Sequence, residues 1–84
     1  MKTSYKRLKR GDLFTVSLTD KAKSENKSTI MCGDILRVVT KAAPYIIVDI
    51  YDRHRKQWNP SHWNVEIENH NLIRLKKEVV EEIS

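Results

Sequence analysis

Apolar residues in this chain recur at every second position, and that spacing is the strongest constraint on what it can fold into. Phe14, Val16 and Leu18 share one face of such a repeat, as do Leu36 and Val38, then Ile46, Val48 and Ile50, then Trp63, Val65 and Ile67. A period of two places alternate side chains on opposite faces of a strand, whereas a helix needs apolar residues three and four apart. Each segment therefore predicts a β-strand with one face toward a core. A fifth, short strand is expected at Leu72-Ile73-Arg74-Leu75. Only in the tail do Leu75, Val79, Val80 and Ile83 fall at helical spacing, which predicts a short amphipathic helix over 76–83. Polar stretches at 20–28 and 52–62 predict loops, the second with a turn at Asn59-Pro60, and Asn69-His70-Asn71 predicts another turn.

A chain of 84 residues makes one domain with one small core. Phe14, Val16, Leu36, Val38, Ile46, Val48, Ile50, Val65 and Ile67 are expected to fill it, with Tyr45, Ile47, Asp49 and Tyr51 on the outward face of the strongest strand. Gly11-Asp12 and Gly33-Asp34 each precede a strand, where glycine can turn the chain and aspartate can accept a nearby backbone N–H. Five short strands with regular turn signals predict a mainly β fold: a small five-stranded barrel with a short C-terminal helix. The expected organisation is a basic N-terminal arm at 1–10, the barrel at 11–75, and a helix or tail at 76–84.

The segment from Ser28 to Leu75 resembles the SH3-like barrel family in the broad sense that includes KOW and Tudor-type modules. The resemblance rests on Gly33-Asp34-Ile35-Leu36-Arg37-Val38-Val39, the following strand Tyr45–Tyr51, and the closing Asn71-Leu72-Ile73-Arg74-Leu75. The chain departs from peptide-binding SH3 domains, lacking their Ala-Leu-Tyr-type opening strand and adjacent tryptophan pair; Trp58 and Trp63 stand five apart. The resemblance thus implies the basic, nucleic-acid-binding branch of small barrels rather than proline-peptide recognition.

Charge points the same way. Sixteen Lys and Arg against eleven Asp and Glu give +5, and the whole excess lies in residues 1–10, which hold Lys2, Lys6, Arg7, Lys9 and Arg10 and no acid. A second cluster, Arg53, His54, Arg55 and Lys56, falls between two strands. Clustered base is the electrostatic footprint of a nucleic-acid contact. The stretch from Arg53 to Trp58, fed by Tyr51, combines cations for phosphates with aromatic rings on which unpaired bases stack. Lys6, Arg7, Lys9 and Arg10 would add sequence-independent, salt-sensitive affinity, with Leu8 as an anchor to the core. The expected function is a small, basic, non-enzymatic protein that binds nucleic acid, RNA or single strands before duplex DNA.

Two other functions fit the same residues. One is a protein-interaction module, such as a small phage-encoded inhibitor or antitoxin of a host enzyme acting with or without RNA, contacting its partner through Tyr45, Ile47 and Tyr51. The other is a ribonuclease using His54 and His62 as acid and base with Lys56 on the phosphate. His54, His62 and His70 are eight apart, unlike metal-ligand spacing, so neither metal nor cofactor is expected, nor a small-molecule substrate. Asp49 and Asp52 read as solvated turn residues. The single Cys32 reads as a small buried hydrophobe; it excludes an intramolecular disulfide and suggests a reducing, cytoplasmic setting. No apolar run reaches the ~18 residues of a membrane span, and the basic start lacks the apolar stretch of a secretory signal.

Overall fold

The structure, a computed structural model, describes residues 2–27 and 34–83. Cys32, Gly33 and the beginning of the SH3-like resemblance at Ser28 lie outside them. The alternating segments form β2 (Leu13–Leu18), β3 (Leu36–Ala42), β4 (Tyr45–Asp52), β5 (Gln57–Glu66) and β6 (His70–Arg74). A further two-residue strand, β1 (Lys2–Thr3), comes from the basic N-terminal segment. Neighbours run β1-β6-β2-β3-β4-β5, every pair antiparallel.

The fold is mainly β, with six strands among the described residues where five were expected. Among the described residues no ladder joins β1 to β5, so the sheet does not close into a barrel. It curls instead. Phe14 and Val16 of β2 and Leu72 of β6 share one buried cluster with Leu36, Val38, Ile46, Val48 and Val65 of β3, β4 and β5. Among the described residues β2 and β3 are joined over Leu13↔Arg37 and Phe14↔Leu36.

Packing explains why the alternation was a sound guide. Val48 pairs with Val38 on one side and Trp63 on the other, and Val48, Leu36, Ile46 and Val65 are wholly buried. Ile50 and Ile67 only flank this core. Ile50 lies beyond a register shift in the β4–β5 ladder, and Ile67 opens a 3-10 turn, Ile67–Asn69, rather than continuing β5. β6 accordingly starts at His70, inside the expected turn.

The loop expected at 20–28 contains instead a one-turn helix, α1 (Asp20–Ser24). Thr19 caps it, its hydroxyl oxygen accepting the Ala22 N–H at 3.2 Å, and Ala22 is fully buried. The loop expected at 52–62 shrinks to residues 53–56, because β5 continues through Asn59-Pro60 in place of the expected turn. Proline is tolerated there because, among the described residues, β5 pairs with β4 alone and has no strand on its other side to need the missing N–H. The chain ends in α2 (Lys77–Ile83), whose first turn is set by Val79 and Val80 N–H groups donating to the Lys76 carbonyl. No helix among the described residues is long and apolar enough to cross a membrane.

The basic N-terminal segment, described from Lys2, is held against the sheet. Lys2 and Thr3 pair with Ile73 and Leu72, and Leu8 is fully buried in the core. Gly11 then takes φ +90, a left-handed conformation that costs glycine little, and its N–H donates to the Val38 carbonyl at 2.8 Å.

Candidate nucleic-acid interface

Tyr51 and Trp58, two aromatic residues singled out in the sequence, meet Arg37 on the outward face of β3, β4 and β5. Tyr51 and Trp58 are cross-strand partners at the turn end of the β4–β5 hairpin. Their rings pack edge to face, centroids 5.2 Å apart at 65°. The Arg37 guanidinium lies 4.3 Å from the centroid of the Trp58 ring, over its face. Tyr51 and Trp58 are each half-buried.

Arg37 itself was not anticipated. It sits opposite Asp49 across the β3–β4 ladder and donates from a terminal nitrogen to Asp49 Oδ2 at 3.1 Å. Two directions are thereby fixed at once: the carboxylate holds one edge of the guanidinium and the indole holds its face. A guanidinium constrained in this way is itself a plane on which a nucleobase can stack.

Asp49 is correspondingly not the solvated turn residue expected from its type. It is 6% exposed, in the middle of β4. Its second oxygen, Oδ1, is buried without a hydrogen bond among the described residues, and His62 Nδ1 lies 3.5 Å from it. His62 reaches it because the β4–β5 register slips between Val48 and Ile50, leaving residues 60–62 bulged opposite Asp49 with His62 at φ +53. Asp52 does hold a turn. Its Oδ1 accepts the N–H groups of His54 (3.0 Å) and Arg55 (3.1 Å), and Arg55 Nε lies 3.9 Å from Oδ2. The hairpin tip so built carries Arg53, His54, Arg55 and Lys56, all exposed.

The second basic group is separate from the tip. Lys6, Arg7, Lys9 and Arg10 are exposed on the segment between β1 and β2. That segment is fastened at Tyr5 and Arg7. Lys41 Nζ donates to the Tyr5 carbonyl at 3.0 Å while lying over the Tyr5 ring, and Arg74 donates to the Arg7 carbonyl at 3.3 Å. Lys41 and Arg74 thus extend the basic surface beyond the residues that the sequence cluster suggests.

The three histidines stand on different elements. His54 is at the hairpin tip, His62 in the β5 bulge, and His70 at the start of β6, where its Nδ1 lies 2.7 Å from the Glu66 carbonyl oxygen. His54 lies beyond Asp52, three strand positions past the Asp49 that faces His62, which is on the order of 10 Å along β4. Among the described residues no three His, Cys, Asp or Glu side chains gather as a metal site requires. Of the row offered to a protein partner, Tyr45 is exposed while Ile47 and Tyr51 are half-buried.

No protein-family model matches the chain, and no curated protein or solved structure matches it significantly.

Proposed function

We propose that this protein is a small, non-enzymatic nucleic-acid-binding module that prefers RNA or other single strands and acts in the cytoplasm. The observation that carries the reading is the Arg37–Trp58–Tyr51 cluster beside a tip with four exposed basic or imidazole side chains. Stacking on a ring or a guanidinium plane needs an unpaired base, and the tip supplies cations for the adjoining phosphates. We regard the curled sheet as an open relative of the SH3-like barrel, with its outward β3–β5 face as the binding surface. Lys6, Arg7, Lys9 and Arg10 add long-range attraction that salt weakens.

The test is anisotropy of labelled single-stranded RNA and of duplex, at rising salt, with the wild type and Trp58→Ala. Loss of the indole is expected to cost about 1–3 kcal/mol on single strands and much less on duplex. Equal losses on both ligands would make Trp58 a purely structural support for Arg37. An absence of binding at low salt would overturn the proposal and favour a protein partner at Tyr45, Ile47 and Tyr51, whose contact salt would barely change.

A further inference from the structure

Tyr51 faces two neighbours. On one side it meets Trp58; on the other it lines a cleft of about 440 Å3 between the β4–β5 tip and α2. Ile35, Val79 and Ile83 supply apolar walls, Arg53 and Lys56 stand on the hairpin side, and Glu82 stands on the helix. Ile35 is 4% exposed, whereas Val79 and Ile83 are half-buried, so the helix side of the cleft remains partly open. The volume lies within the range of about 300–1,000 Å3 typical of small-ligand sites.

The charges in this cleft are uncommitted. Among the described residues neither Arg53 nor Lys56 forms an ion pair, since Asp52 is engaged with Arg55 and the turn N–H groups. Glu82 pairs with neither cation, although all three line the same space. Lys56 is held at φ +53 in the turn, which fixes where its side chain leaves the hairpin.

We infer that this cleft is a subsite for one nucleotide of a single strand, with the base between Tyr51 and the Val79–Ile83 side of α2 and the phosphate at Arg53 and Lys56. The inference rests on the nucleic-acid reading above and adds a defined position to it. A planar, weakly polar base matches an aromatic and aliphatic slot, and a phosphate matches two unpaired cations on one rim. Glu82 repels phosphate from the opposite rim, which fixes the polarity of the bound nucleotide. Because Tyr51 touches both Trp58 and the cleft, a base stacked at Trp58 has its neighbour delivered to this slot.

Two measurements test it. In the first, amide shifts of the isotope-labelled wild type are followed during titration with nucleoside monophosphates. The expected result is saturable shifts at Ile35, Tyr51, Arg53, Lys56, Val79 and Ile83; shifts confined to the segment around Lys6–Arg10, or none, overturn the subsite. In the second, the double variant Val79→Ala with Ile83→Ala is compared with Trp58→Ala on labelled single-stranded RNA. Neither α2 position is in the buried core, so the sheet is retained, which circular dichroism checks. A loss of at least about fivefold in the double variant supports the subsite. Wild-type affinity in the double variant, with weakened binding in Trp58→Ala, overturns the subsite and leaves the broader reading standing. Tighter binding in the double variant also overturns it, because α2 would then be competing for the tip. No binding by the wild type removes both.

Discussion

Replacing Arg37 should destabilise the fold more than replacing the aspartate it pairs with, and the structure sets the size of the difference. Asp49 is 6% exposed, whereas the Arg37 side chain is 37% exposed. Stripping the partner from a fully buried charge costs about 3–5 kcal/mol, and water at the half-open guanidinium lowers that here to about 2–3 kcal/mol for Arg37→Ala. Of this, about 0.5–1 kcal/mol is the cation–π attraction to the Trp58 ring. Asp49→Ala leaves a cation that still has water and the indole face, so its cost is nearer about 1–2 kcal/mol. The double variant should fall short of the sum by about 1 kcal/mol, the coupling between the two. Urea unfolding at neutral pH, followed by circular dichroism because the Trp58 environment changes, measures all three. If Asp49→Ala proves the costlier substitution, or if the two effects simply add, Arg37 does not compensate the buried carboxylate.

Val48→Asp should abolish cooperative unfolding, because an unpaired carboxylate would enter the core; a sharp melt near the wild-type temperature in a calorimeter would show that Val48 faces outward. Neutralising Lys6, Arg7, Lys9 and Arg10 together should weaken binding to all sequences alike and lower the salt slope by about one unit for each phosphate no longer neutralised, readable from anisotropy titrations at several salt concentrations. Incubation with mixed RNA and DNA, with or without divalent metal, should yield no cleavage on denaturing gels. Turnover abolished in both His54→Ala and His62→Ala would replace the binding reading with the ribonuclease one.

The face of each strand could be read from spacing alone because core packing obeys the same period of two. Phe14, Val16, Leu36, Val38, Ile46, Val48 and Val65 are buried for that reason. What spacing could not supply was register. Asp49 was legible on the outward face of its strand, yet only the ladder that sets Arg37 opposite it makes the two a pair. His62 was further hidden, since it reaches Asp49 through a bulge that no alternation foretells. β1 is two residues long and carries no pattern, and α1 depends on a single cap at Thr19. Tyr51, Arg53, His54, Arg55, Lys56 and Trp58 were legible as a group because they are close in sequence, with the turn at Asp52 folding them into one tip.

The bulge in β5 has a second effect, on how molecules of this protein meet each other. The unpaired border of an open sheet is a template on which another chain can add a strand, and self-templating of that kind leads to aggregation. β5 is ten residues long and displays Trp63 at 43% exposure beside β4, where Tyr45 is 38% exposed. Unbroken, it would be an adhesive border. Pro60 removes one donor from it, and the slip over residues 60–62 with His62 at φ +53 interrupts the straight run a docking strand would need. At the opposite border β1 offers only two residues, too few to seed growth. An open sheet guarded at both borders can stay dispersed while keeping its outward face free for a ligand.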